Sequence, residues 1–293
     1  MHTNPKMKLL QGNILLLCLS TFSFAQPASE IYLFDLTIKK NKMSVSNGKN
    51  ISNHKGYDNQ PFFHPKDPLL YYTQADTSGR TDIIAFDHSK DTTKKVTETS
   101  EREYSPTLTP DGKFLSCIIQ RDDGVQDLGK YPAMGGPPEV LIDNLKVGYH
   151  AWVNNSELIL FVLGEPNTLR WYSLSNKKDS IITGNIGRSL HAIPGMPAMS
   201  FVDKLGEAWI IKKLDTRTKM VSDMVNTLPD HEDLTWTPDG KIVMSDGEKL
   251  FYFHPGVSDS WLEIEGMAAL KLKGITRLSV NKKGNKIAIV AAE

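Results

Sequence analysis

The chain has 293 residues, 40% of them hydrophobic, 23% charged and 9% aromatic, and its 34 basic residues are matched by 34 acidic ones. That balance, with a pI of about 7.1, leaves no basic stripe for nucleic acid and no polybasic cluster for anionic lipid. The composition is that of a globular protein able to bury a large core, without a low-complexity tract.

Residues 1–25 read as a signal peptide that is cleaved. Lys6 and Lys8 precede an apolar run from Ile14 to Leu19, and Ser23-Phe24-Ala25 supplies the small residues of a cleavage site after Ala25. The run is too short for a mature membrane span of about 20 apolar residues, and no other segment approaches that length. The expectation is an exported chain, periplasmic or secreted, with no integral membrane segment and a slightly acidic mature charge. Leu16-Leu17 lacks the small residue expected before a lipid-modified Cys18. Cleavage would leave Cys117 as the lone cysteine, so no intramolecular disulfide forms, and its apolar surroundings suit a small buried hydrophobe.

From residue 26 on, short strands bounded by glycine, proline or asparagine succeed one another. Residues 30–36, Glu-Ile-Tyr-Leu-Phe-Asp-Leu, and 43–46 read as two strands. A first complete repeat follows at 60–64, 69–73, 81–87 and 94–97, and a second at 104–109, 114–121, 125–131 and 139–142, with a Gly135-Gly136 turn between its last two strands. The third repeat supplies 158–163, 168–174 and 180–183, the fourth 198–202 and 208–214, and the fifth 242–245, 249–254 and 261–264. A sixth begins near Leu278 and ends after 286–290, two strands short.

Each repeat has a large apolar residue before its first turn: Phe63, Leu108, Trp152, Ile193, Trp236 and Val280, at steps of 45, 44, 41, 43 and 44. A 40–50-residue period of short strands marks propeller blades. The phrase Thr109-Pro110-Asp111-Gly112-Lys113 returns as Thr237-Pro238-Asp239-Gly240-Lys241 and, eroded, as Asn281-Lys282-Lys283-Gly284. Proline presets the first turn corner, aspartate bonds its own backbone and glycine takes the left-handed position. The expected fold is therefore all-β: a six-bladed β-propeller of four-stranded antiparallel blades. The N-terminal strands pair with the C-terminal half-blade and remove the free edges.

The phrase Ser/Thr-Pro-Asp-Gly-Lys behind a large apolar residue, followed by a strand such as Ile31-Tyr32-Leu33-Phe34-Asp35-Leu36, resembles the TolB-like, WD40-like propeller repeat of exported bacterial proteins. The resemblance covers nearly all of 26–293, read as one propeller domain. It implies the fold, and for function a protein- or ligand-binding scaffold. The separate N-terminal domain of TolB is missing from this pattern, so a translocation role is not implied.

In a propeller the starts of the inner strands ring a central funnel, the natural place for a site. Three residues before the anchors stand Gln60, Ser105, Tyr149, Leu190, Asp233 and Arg277. Two before stand Pro61, Pro106, His150, His191, Leu234 and Leu278. With their flanks they give ten candidates for ligand binding: Tyr149, His150, Arg188, His191, Glu232, Asp233, Arg277, Tyr104, Arg102 and Asn59. In one reading the histidines and Glu232-Asp233 hold a divalent metal or an oxygen-rich ligand while Arg102, Arg188 or Arg277 holds a carboxylate or phosphate. In the other the histidines pack between blades and Glu232-Asp233 is an ordinary ion-paired loop. No cofactor and no catalytic residue is assigned, since nucleophile-elbow, zinc-helix, calcium-loop and phosphate-loop motifs are all lacking. The functional expectation is a non-catalytic monomer that takes a protein partner or a small polar ligand at the funnel. The alternative is a hydrolase or lyase, with or without a metal, acting on a sugar-derived or lactone substrate.

Overall fold

The computed structural model describes residues 26–39, 42–133, 136–267 and 270–293. The expected signal peptide, Cys18 and Gly135 lie outside these. The described residues form 24 strands in six four-stranded antiparallel sheets, the six blades expected from the period. The first blade holds β3 (Asp58–Phe63), β4 (Leu69–Ala75), β5 (Thr81–Asp87) and β6 (Thr92–Lys95), and the second β7 (Arg102–Leu108), β8 (Phe114–Gln120), β9 (Gln126–Pro132) and β10 (Glu139–Ile142). The third comprises β11 (Val147–Asn154), β12 (Glu157–Val162), β13 (Thr168–Ser173) and β14 (Lys178–Gly184). The fourth comprises β15 (His191–Ala192), β16 (Ala198–Asp203), β17 (Ile210–Asp215) and β18 (Val221–Asn226). The fifth runs β19 (Leu234–Trp236), β20 (Ile242–Ser245), β21 (Leu250–Phe253) and β22 (Leu262–Ile264).

The sixth blade is the composite one. Inner strands β23 (Thr276–Val280) and β24 (Lys286–Ala292) are completed by β1 (Ser29–Lys39) and β2 (Lys42–Asn50). β1 and β24 pair from Ser29 opposite Ala292 to Asp35 opposite Lys286. Ring closure thus lies inside a sheet, where its edges are hydrogen-bonded.

Each pair of neighbouring blades encloses its own apolar cluster. Ile31, Phe63 and Tyr72 pack between the sixth and first blades, and Ile159, Leu190 and Phe201 between the third and fourth. Cys117 is fully buried in the cluster between the first and second, and burial pushes its thiol well above its usual range, so it is inert. The turn phrase does what its chemistry dictates: Gly112 and Gly240 sit at φ 74° and 85°. Thr109 and Thr237 each donate their hydroxyl to the following aspartate at 2.6 Å. In the eroded copy Asn281 substitutes, accepting from the backbone N–H of Asn285 at 3.0 Å.

Two departures from expectation have local causes. The first blade's edge strand is Thr92–Lys95 rather than 94–97, and the unforeseen β18 closes the fourth blade. Both are mostly exposed, so neither carries the apolar alternation by which a strand is read.

Candidate functional site

The six inner strands open on a central cavity of about 340 Å³. Both upstream rows line it in full: Gln60, Ser105, Tyr149, Leu190, Asp233 and Arg277, and behind them Pro61, Pro106, His150, His191, Leu234 and Leu278. In a regular strand consecutive side chains face opposite ways. Here the ladders shift register between Asn59 and Phe62, Tyr104 and Thr107, Val147 and Tyr149, and Thr276 and Leu278. Bulges of this kind re-aim side chains. In the first two blades the bulge places Gln60 and Ser105 in the left-handed region, at φ 59° and 56°. Gln60 also accepts the Ser105 backbone N–H on its Oε1 at 2.8 Å, which satisfies a donor that the bulge frees from the ladder.

An ion cluster in the cavity wall is organised by Asp233. Arg188 grips its carboxylate bidentately, Nε to Oδ1 at 3.1 Å and Nη2 to Oδ2 at 2.7 Å, and Arg277 Nη1 lies 3.1 Å from Oδ1. Arg277 also donates to the Tyr149 hydroxyl at 2.5 Å while its guanidinium lies over that ring, 4.6 Å from the centroid. Burial would raise the Asp233 carboxyl, but the Arg277 and Arg188 guanidiniums outweigh it and hold it below its usual range. Arg188 is raised in turn: burial opposes its charge, and the Asp233 hydrogen bonds more than offset it. Glu232 accepts the backbone N–H of Arg188 at 3.1 Å and lies 3.5 Å from Lys204, which itself stacks over Trp209. Arginines expected to capture a ligand carboxylate therefore already hold one belonging to the chain.

The two histidines are anchored by serines. Ser116 donates its single proton to the Thr107 carbonyl at 3.0 Å and accepts from the Trp152 indole at 2.9 Å, so the 2.7 Å contact to His150 Nε2 has the imidazole as donor. Ser189 likewise donates to Leu234 O at 3.3 Å and accepts from Leu234 N at 3.1 Å, with His191 Nε2 at 3.0 Å. Burial lowers both imidazoles, His150 to about 3 and His191 to about 4, so both stay neutral at physiological pH. The Trp–Ser pairing recurs between Trp236 and Ser200 at 2.9 Å. Each anchor tryptophan thus seats its N–H on the second strand of the preceding blade.

The remaining candidates divide. Glu232 lines a separate 280 Å³ cavity beside the main one. Asn59, Arg102 and Tyr104 do not line the channel. Asn59 turns back to Ser29 of the closure strand at 3.2 Å, Arg102 pairs with Asp122 at 2.7 Å, and Tyr104 packs edge-on against Tyr57 at 6.3 Å. Each precedes the bulge, so its side chain points elsewhere. Among the described residues no three His, Cys, Asp or Glu side chains converge in a metal-binding arrangement. His150 Nε2 is committed to Ser116, and Asp233 to its arginines. Ser105 stands in the upstream row but not among the ten candidates, and Ser116, which holds His150, is in neither. The signal for the second was a lone hydroxyl within the apolar run Phe114-Leu115-Ser116-Cys117-Ile118-Ile119.

No protein-family model and no curated protein matches the sequence. Solved structures do. A protein described as TolB from Agrobacterium tumefaciens superposes with a TM-score of 0.67 at 13% identity, covering 92% of this chain and 99% of that one. A gluconolactonase from Xanthomonas campestris gives 0.61 at 9%, covering 92% and 98%. An oligogalacturonate lyase in complex with manganese gives 0.56 at 12%, covering 86% and 82%. Among the described residues no helix is long and apolar enough to cross a membrane. Likeness at such low identity establishes architecture and leaves activity to the site: the chain has a TolB-like six-bladed propeller fold.

Proposed function

We propose that the protein is an exported binding scaffold whose central channel takes a small polar ligand. The observation that carries this is the channel itself: every blade contributes two consecutive residues to one concave cavity, and its 340 Å³ lies in the range of small-molecule sites. The fixed ion cluster around Asp233 and the neutral, serine-anchored histidines favour recognition over catalysis. A general acid–base works best with a pKa near the operating pH, whereas burial displaces both imidazoles far below it.

The alternative, a lyase or lactone hydrolase, draws support from propellers of those activities that share the fold and from the 3.0 Å contact between Ser189 and His191. Against a nucleophilic serine, the Leu234 carbonyl, 3.3 Å from the Ser189 hydroxyl, competes with His191 for its proton. The test is a ligand panel scored by thermal shift on the mature chain and on Ala151→Trp, which places an indole in the channel. Stabilisation by a ligand should vanish in the variant. A ligand that still binds the plugged protein, or turnover of a bound sugar derivative, would overturn the scaffold reading.

A further inference from the structure

We propose that the channel takes an amphiphilic monoanion, an organic acid whose carboxylate is held by Arg188 and Gln60 and whose apolar body extends into an adjoining cavity. The inference rests on the reading of the channel as a ligand site and names the chemistry of its occupant. The charged residues that line the channel are Arg188, Asp233 and Arg277, so two guanidiniums share one carboxylate and one positive charge is left over. Glu232, 3.5 Å from Arg188 Nε, does not cancel it, because Lys204 lies 3.5 Å from the same carboxylate. A positive charge left over in a concave wall attracts an anion.

Two lining donors are open to such a ligand. Arg188 gives Nε and Nη2 to Asp233, which leaves Nη1. Gln60 Oε1 accepts the Ser105 backbone N–H and the Thr73 hydroxyl, and since a backbone N–H needs an oxygen, the free end of the amide is its NH2. Among the described residues Arg188 Nη1 and Gln60 Nε2 have no acceptor, yet neither is closed to solvent, and the Arg188 side chain is 33% exposed. Both can only donate, so both ask for an acceptor oxygen. Opposite walls are near enough to share one: Arg277 of the sixth blade reaches the Tyr149 hydroxyl of the third, facing it across the ring, at 2.5 Å. The body of the ligand is set by the apolar wall. Pro61, Phe62 and Leu278 line both the channel and a second cavity of about 560 Å³, which adds Phe63, Trp236 and Val280 and no acidic side chain. A sugar acid would press its hydroxyls on these faces unpaired, whereas an acyl or aryl chain covers them.

The experiment is calorimetric titration of the full mature protein with butyrate, hexanoate and octanoate, and with octanol, octylamine, galacturonate and inorganic phosphate. Octanoate should bind about tenfold more tightly than octanol, and affinity should rise about fourfold per methylene from butyrate upward. Gln60→Glu keeps the acceptor for Ser105 and Thr73 and turns the open NH2 into an anionic oxygen, so it should weaken octanoate about tenfold or more and octanol hardly at all. Ala192→Trp, on a wall common to both cavities, should weaken octanoate far more than butyrate. Octanol or octylamine matching octanoate, no gain with chain length, galacturonate or phosphate binding in its place, or an unchanged affinity in Gln60→Glu would each overturn the assignment. The channel survives as a site if Ala151→Trp abolishes whatever binding is seen. If no compound responds to Ala151→Trp, both readings fall.

Discussion

Asp58 opens the inner strand of the first blade beside the closure strand, and its side chain is fully buried. Gln74 donates to Oδ1 at 2.9 Å, but Oδ2 has only the His54 ring at 3.7 Å and no hydrogen bond among the described residues. Loss of hydration pushes its carboxyl from 3.8 up to about 6, against the pull of Gln74 and His54 and with a further push from Glu30. Since the folded value lies above the unfolded one, the stabilisation belongs to the protonated acid. It is complete below 3.8 and is lost as pH rises through about 6. A gap of that size corresponds to about 3 kcal/mol, at about 1.36 kcal/mol per unit. Asp58→Asn keeps the shape and the Gln74 contact, removes the charge and offers N–H to His54. At pH 4 the variant and the parent should melt together. At pH 8 the variant should melt about 6 °C higher, taking about 2 °C per kcal/mol for a domain of this size. Calorimetry across pH 4 to 8 on both proteins measures the difference. A Tm difference that does not change with pH would refute a buried, under-paired carboxylate at the seam.

Other outcomes follow from the same geometry. Asp233→Asn leaves Arg188 and Arg277 facing one carboxylate fewer and should cost about 3 kcal/mol in denaturant unfolding; a loss under about 1 kcal/mol would mean the cluster is solvated. Ser116→Ala strands two buried donors, the Trp152 indole and His150 Nε2–H, and should cost about 2 kcal/mol. Trp152→Phe strands none and should cost less through the lost hydrogen bond, an ordering that a double-mutant cycle checks. Gly266 sits at φ 100°, and a Cβ there would stand 2.0 Å from the Val45 carbonyl oxygen. Gly266→Ala should therefore lower stability by about 2 kcal/mol or more, read as a reduced Tm with the blade count unchanged. Mass spectrometry of the exported protein should find Gln26 at its amino terminus.

The fold was legible because a propeller repeats its instructions. The anchor spacing and the two intact turn phrases sufficed for blade number, and the pattern of Ile31 to Leu36 placed the missing outer strands. The exposed edge strands β6 and β18 escaped because nothing apolar marks them. The site was legible to the level of position: the residues two and three before each anchor line the channel. Which flanking residues join them was hidden, since a bulge decides whether Tyr104 or Ser105 faces inward. Partnership was hidden too. Arg188 and Arg277 read as ligand binders, and only the folded ring brings Asp233 from the fifth blade between Arg188, which precedes the fourth blade's inner strand, and Arg277 in the sixth.

The pairing of β1 with β24 ties the earliest strand of the propeller to the latest. During synthesis, and during passage across a membrane if the chain is exported, β1 and β2 emerge first and can pair with each other, but the other edge of β1 has no partner until Lys286 to Ala292 arrives. Its inward edge, Ile31, Leu33 and Phe34 among it, is then an open template that any other unpaired strand could occupy. Five blades stand finished while the sixth waits. The protein's exposure to misassembly is thus concentrated at one seam and one moment, and a chaperone that shields a single β-edge would protect it.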